Sequence, residues 1–232
     1  MISKKNVASN TFLVLAMLFL ALILLTHTFA NKELLYPLGG ISSPGMLTFP
    51  LAFMVLDIIA EIYGFHTAKQ VIWATLAISG FFFFAGAMMA YFPDPNNIPN
   101  LIPGQYYQAI FGILPRVYIA TFIGMLLGST VNAKLLSKWR ILLKGKYFWA
   151  RSLGASAIGD FIFIFVGTFL ICLERFPFYI ILKFSLTAYL IEICALIILA
   201  PFASIVTSLI KLILRDKASS LQIEYNPFSL EN

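Results

Sequence analysis

Residues 44–64 read PGMLTFPLAFMVLDIIAEIYG, and this stretch decides what kind of molecule the chain is. It is apolar almost throughout and about as long as the ~20 residues that a helix needs to cross a bilayer. Pro44 suits the first turn of such a helix, where its missing N–H costs nothing. Two acids nevertheless sit inside it, Asp57 and Glu61. At helical spacing Phe49, Phe53, Asp57 and Glu61 fall four apart on one inclined ridge, so two aromatic faces lead down to two carboxylates. Counting a rise of about 1.5 Å per residue from Pro44, Asp57 lies roughly 20 Å into a core about 30 Å thick, and Glu61 lies lower, near the boundary. Ionisable groups at such depth cost several kcal/mol unless they face a partner or water, which makes them functional candidates. The ridge suits a flat polar heterocycle. Rings stack on it, and a carboxylate accepts two N–H bonds from an amidine-like edge.

Outward from this segment the same pattern repeats. Apolar stretches run over about 11–30, 68–92, 109–131, 153–173 and 178–210, and the third segment stops at Pro93-Asp94-Pro95. Pro201 marks a kink or a stop in the last one. Lys4 and Lys5 ahead of the apolar run from Phe12 imitate a signal peptide, but Thr28-Phe29-Ala30 is a poor cleavage site, so a retained first helix is expected. Only 11% of the 232 residues are charged and 60% are hydrophobic; a soluble domain carries roughly 25% charged residues. The expected fold class is all-α: a polytopic membrane protein, a six-transmembrane-helix bundle with short loops. Residues 1–10 and 212–232 are expected to be cytoplasmic tails around a membrane domain over 11–211.

The net charge of +6 belongs to topology rather than to nucleic acid. Lys4, Lys5, Lys69, Lys134, Lys138, Arg140, Lys144, Lys146, Arg151, Lys211, Arg215 and Lys217 fall on one side of the bundle, against Lys32, Arg175 and Lys183 on the other. That asymmetry puts both termini in the cytoplasm, and an even helix count agrees with both lying on one side. Cys172 and Cys194 lie in apolar stretches and read as small core residues, not as a disulfide or a metal site.

Three more ionisable residues lie within spans. The fourth segment carries a ridge of Gly112, Arg116, Ala120, Gly124, Gly128 and Asn132, whose small members suit close helix packing. Arg116 cannot shed its charge and needs a carboxylate, a carbonyl acceptor or water; Asp160 and Glu192 are candidate partners. Pro115 leaves two readings open. Either the fourth helix is kinked there, with Arg116 deep, or Tyr106 to Leu114 is a short interfacial piece and Arg116 stands near the outer mouth. The fifth segment aligns Ser152, Ser156 and Asp160, with Asp160 roughly 13 Å from the cytoplasmic start. Glu192, mid-way along the sixth, is an ion-pair or proton-linked candidate. Asp57 and Asp160 both occupy the second helix of a three-helix half, a hint of an internal repeat. Phe81 to Phe84 reads as a lipid-facing or packing run, His66 as a solvated loop residue, and His27 as the end of the first helix with no second metal ligand at the required spacing. No nucleotide-binding or hydrolase motif is present. No catalytic residue, cofactor or metal is therefore expected.

Asn31-Lys32, then Thr48-Phe49-Pro50-Leu51 followed by Asp57, Glu61 and Tyr63-Gly64, resembles the opening pattern of the VUT family. The resemblance continues through Ala68, Trp73, Pro115-Arg116, Ala120, Gly128 and Asn132, resumes at Gly145-Lys146, Trp149, Arg151, Ser156 and Gly159-Asp160, and covers about residues 30–210. It implies a bacterial six-helix protein of the cytoplasmic membrane that takes up queuosine precursors, 7-deazaguanine bases such as the cyano or aminomethyl form or queuine. It also implies that Asp57, Glu61, Arg116, Asn132, Arg151 and Asp160 stand on binding positions. One departure concerns position 163, where members often carry an Asp and this chain has Phe163; it bears on which precursor is preferred. The expected partners are the deazapurine, the lipid bilayer and, as an open option, a second copy of the chain. The alternative to a self-sufficient importer is a substrate-capture subunit that needs a separate ATPase.

Overall fold

The computed structural model describes residues 4–30, 32–36, 39–94, 102–142 and 148–215. Within those ranges the side chains of Glu61, Asn132, Arg151 and Ser156 lie outside the described set, as do residues 216–232 of the expected C-terminal tail. The chain runs α1 (Lys4–Thr28), β1 (Leu34–Leu35), β2 (Ile41–Ser42), α2 (Gly45–Tyr63), α3 (Phe65–Ala90), α4 (Gly104–Phe111), α5 (Leu114–Leu142), α6 (Phe148–Cys172) and α7 (Phe178–Arg215). It is an all-α protein built on membrane-type helices. Ser9–Thr28, His66–Ala90, Gly104–Gly128 and Phe178–Ile210 are each long and apolar enough to cross a membrane, and Gly45–Ala60 and Ala157–Cys172 are shorter apolar helical stretches.

Local chemistry explains the joints. Gly64 takes φ 88° and ends α2 with its N–H on the carbonyl of Ala60. Only a residue without a Cβ adopts that angle freely, so a single residue turns α2 into α3. Gly45 opens α2 where a Cβ would stand 2.4 Å from the carbonyl oxygen of Thr26, which lets α2 cross close to α1. The two helices are also joined by the Thr26 and Thr48 hydroxyls, 2.8 Å apart. Leu15, Phe19 and Ile23 of α1 pack there against Ala52, Val55, Ile59 and Ile62 of α2 in one buried cluster. Outer faces are greasy instead: Leu13, Val14 and Met17 of α1, Phe81 and Met88 of α3 and Leu190 and Ile197 of α7 are exposed. In a molecule with a lipid solvent such side chains need no protein partner.

The structure decides or refines several expectations. The helix expected from Thr11 begins at Lys4. The first loop carries a small antiparallel pair, Leu34 opposite Ser42 and Leu35 opposite Ile41, because Gly39 at φ 74° turns the chain back. The fourth segment is divided: α4 ends at Phe111 and α5 starts at Leu114, since Pro115 is tolerated in a first turn but not inside a continuous helix. Of the kink or stop expected at Pro201, the stop is overturned, since Pro201 lies inside a helix that continues to Arg215. The Phe81–Phe84 run divides by helical face: Phe83 is fully buried, Phe81 largely exposed.

Candidate substrate-binding site

Two faces of α6 set the site. Against α5 it packs through small residues, and a Cβ at Gly128 would fall 2.6 Å from the carbonyl oxygen of Gly159 while one at Gly124 would fall 2.8 Å from that of Phe163. Glycine brings two backbones together here as the sequence pattern predicts. Toward α2 the situation differs. α2 packs on α1, α3 and α7, and α6 on α5 and α7, while α2 and α6 approach each other only sparsely. The space between them is bridged by a pair of rings: Phe49 and Phe163 stack with centroids 5.0 Å apart and planes at 6°.

On one side of that stack lies a cavity of about 110 Å³ at the α2 N-terminal end of the bundle. Phe49, Met46, Val117, Phe163, Ile164, Ile171, Phe184 and Ala188 give it apolar walls. Thr26, His27, Glu33, Ser42, Ser43, Thr121 and Thr168 give it a few polar groups. A largely apolar pocket with convergent polar groups is the ordinary form of a small-molecule site.

On the other side of the stack lie the acids. Asp57 stands two turns below Phe49 on α2 and is exposed although Val55, Leu56, Ile58 and Ile59 around it are buried. It therefore looks into the opening between α2 and α6. Asp160, half-buried, is one turn from Phe163 on α6. The charge of Asp57 acts on Asp160, and that of Asp160 acts on Glu192 of α7, so three helices contribute one acidic cluster. Glu192 is 1% exposed and its Oε2 has no hydrogen-bond partner. An orphaned buried carboxyl oxygen is rare and calls for a ligand, a proton or water. Phe53, half-buried, lies between Phe49 and Asp57 with its ring 4.6 Å from that of Phe49. The predicted ridge thus exists and faces α6, apart from Glu61, whose side chain is not among those described. Asn132 of α5 and Arg151 of α6 likewise cannot be placed beyond their helices.

Arg116 is brought elsewhere. It sits in the first turn of α5, the second of the two readings that Pro115 allows. Its Nε–H donates to the carbonyl of Leu170 at 2.9 Å, and a terminal nitrogen donates to that of Leu173. These are carbonyls left open at the C-terminal end of α6, where a cation is also favoured by the helix dipole. The expected pairing with Asp160 or Glu192 is absent from this structure, because ten or more residues of helix separate those acids from the level of Leu170. With Tyr91, Gln108 and Arg175, Arg116 lines a second recess of about 350 Å³.

Three residues escape sequence reasoning. His27 is buried, its Nδ1 2.7 Å from the carbonyl of Ile23 and its Nε2 3.0 Å from Thr121 Oγ1. A carbonyl only accepts, so Nδ1 carries the proton, and in the neutral ring Nε2 accepts from Thr121. The signal was available, since a histidine within an apolar segment needs partners, but Thr121 is remote in sequence. Glu33 lines the cavity from the loop after α1. Burial pushes its carboxyl up to about 7, against the opposing pull of Arg175. Phe163 departs from the family pattern, but nothing in the local sequence singles it out among the phenylalanines of α6 as the partner of Phe49.

The model of the family described as "Putative vitamin uptake transporter" matches residues 43–206, which span α2 through most of α7. A curated relative, "Probable queuosine precursor transporter" of Bacillus subtilis (strain 168), is 24% identical over 167 residues, covering 71% of this chain and 71% of its own length. No solved structure matches the chain. The matched region includes the Phe49 to Glu61 ridge, Arg116, Phe163, Asp160 and Glu192, and the chain belongs to the vitamin uptake transporter family, as a membrane transporter and not an enzyme.

Proposed function

We propose that this chain imports a queuosine precursor, a 7-deazaguanine base such as the cyano or aminomethyl form or queuine, across the cytoplasmic membrane. The observation that carries this reading is the pairing of an aromatic stack with acids beneath it in the opening between α2 and α6. A guanine-like base offers N1–H and an exocyclic amine to a carboxylate and flat faces to phenylalanine rings, and Asp57 and Asp160 provide the first while Phe49 and Phe53 provide the second. The name of the Bacillus subtilis relative supports the same substrate class. Glu61, Asn132 and Arg151 join the binding set through the family pattern, and Arg116 holds the helix end that frames the mouth.

The bundle crosses the membrane six times in this reading, with α4 and α5 together making one crossing and the short apolar stretches of α2 and α6 making one each. Lysines and arginines of the α5–α6 loop and of both tails keep the termini in the cytoplasm. The cavity at the start of α2 then faces outward. Glu192, with an oxygen that no described group satisfies, is the proton-linked member of the cluster. An imposed pH gradient is expected to change uptake by the native chain and to have little effect on Glu192→Gln; uptake by the native chain that ignores the gradient removes that role.

The test is uptake of labelled 7-cyano-7-deazaguanine by proteoliposomes containing this chain alone. Accumulation above protein-free vesicles, competed by unlabelled base, is expected. Uptake that appears only after a separate ATPase module is added would reassign the chain as a capture subunit.

A further inference from the structure

We propose that Phe49 and Phe163 form a gate between the outer cavity and the acids, closed by their mutual stack and opened by a planar ring that enters between the two. The substrate class rests on the proposed function; the gate itself rests on geometry alone.

Phe49 and Phe163 line the floor of the cavity, and Asp160 begins one helical turn beyond Phe163 on the far side. Their rings are nearly parallel at 5.0 Å, so their faces already satisfy one another and leave no slot between them. α2 and α6 approach each other only sparsely, and the rings of Phe49 and Phe163 both border the open cavity between them. Parting the rings disrupts an aromatic contact between two sparsely packed helices, whereas parting α6 from α5 would break a seam of close backbone contacts. An aromatic pair contributes about 0.5–1.5 kcal/mol beyond its burial, small enough for thermal opening. A flat base entering the gap recovers a stack on each of its two faces. A non-planar solute of equal size recovers neither, so the gate selects for flatness before the acids read the polar edge. Phe53, whose ring touches that of Phe49, would receive the base on its way to Asp57.

The test uses the full chain in intact cells, with Cys172 and Cys194 replaced by serine and Ala157→Cys, one turn below Asp160 on α6, as the reporter. Labelling by a membrane-impermeant thiol reagent is followed in this background and with Phe163→Ala or Phe163→Leu added. Removing the stack is expected to speed labelling roughly three- to tenfold, the factor that an aromatic pair represents, and Phe163→Trp is expected to keep it slow. Phe163→Leu retains most of the volume, so its melting temperature separates an open gate from a misfolded chain. Equal labelling rates in all four proteins overturn the gate. In a second arm 7-cyano-7-deazaguanine is added to the Phe163-containing reporter, where slower labelling is expected because the base fills the opening above the cysteine. Faster labelling of the Leu and Ala variants with no response to the base leaves the gate standing and counts against the substrate assignment instead.

Discussion

Two of the helices around α6, α5 and α2, treat it in opposite ways. Along α5 it is fastened by glycines: Gly124 and Gly128 lie so close to the α6 backbone that no Cβ could be added without displacement. Along α2 it is met by one pair of stacked rings and by carboxylates that face a gap. In lipid, where apolar side chains gain nothing by leaving solvent, close van der Waals packing is what holds helices together. The α5–α6 seam is therefore the rigid element and the α2–α6 opening is the part free to move. A transporter needs both, because a site that opens and closes has to be carried on something that does not.

The largest expected effect comes from attacking the seam. Gly128→Leu drives a side chain into the Gly159 carbonyl, and overpacking of this kind costs about 1–3 kcal/mol or more. Loss of the monodisperse folded protein on size exclusion is expected, with transport lost only as a consequence. Ala120→Leu, at a position 1% exposed, should do the same to a lesser degree. An unchanged melting temperature in both variants would erase the contrast between the two faces. Arg116→Gln comes next. It removes the charged donor from the Leu170 and Leu173 carbonyls, and hydrogen bonds to charged groups are worth about 1.5–3 kcal/mol. A lowered melting temperature with base affinity largely kept is expected. The reverse result, full stability and no binding, would move Arg116 from the frame into the site.

The smallest effect sharpens the comparison at its outer edge. Glu33 has its carboxyl raised from 4.5 to about 7 by burial. A raised acid favours the folded state when protonated, so its penalty is absent below about 4.5 and grows as pH rises through about 7. The melting temperature of the native chain should therefore decline across that window, and Glu33→Gln should flatten the decline. Because Glu33 keeps exposed surface, the change is expected to be slight. A slope equally steep in the variant would assign it to another group.

Much of the fold was legible because lipid is a simple solvent. A run of about 20 apolar residues means a helix, and the α2 ridge and the α5 glycine stripe both follow from a period of 3.6. Pro115 also announced its break, though periodicity alone left two places for Arg116. What the sequence hides is which helices meet. Hydropathy over residues 158–165 does not tell which ring meets α2, Phe163 or Phe161, and the latter turns toward Tyr189 of α7. Only the packing of α6 on α5 fixes which face looks at α2. His27 was underrated for the same reason, since its partner Thr121 lies 94 positions away. The pairing of Arg116 with a buried acid failed because charge complementarity is visible in a sequence and depth along a helix is less so.

The account stands or falls on Asp57 as a hand that grips the base. The direct measurement is the affinity of 7-cyano-7-deazaguanine for the purified native chain and for Asp57→Ala, by calorimetry, with melting temperatures recorded on the same samples. Loss of a charge-assisted bidentate contact is expected to weaken binding by roughly tenfold to a hundredfold while the melting temperature of the ligand-free protein holds or rises. An Asp57→Ala protein that binds the base as tightly as the native one would contradict the assignment of the α2–α6 opening as the substrate site.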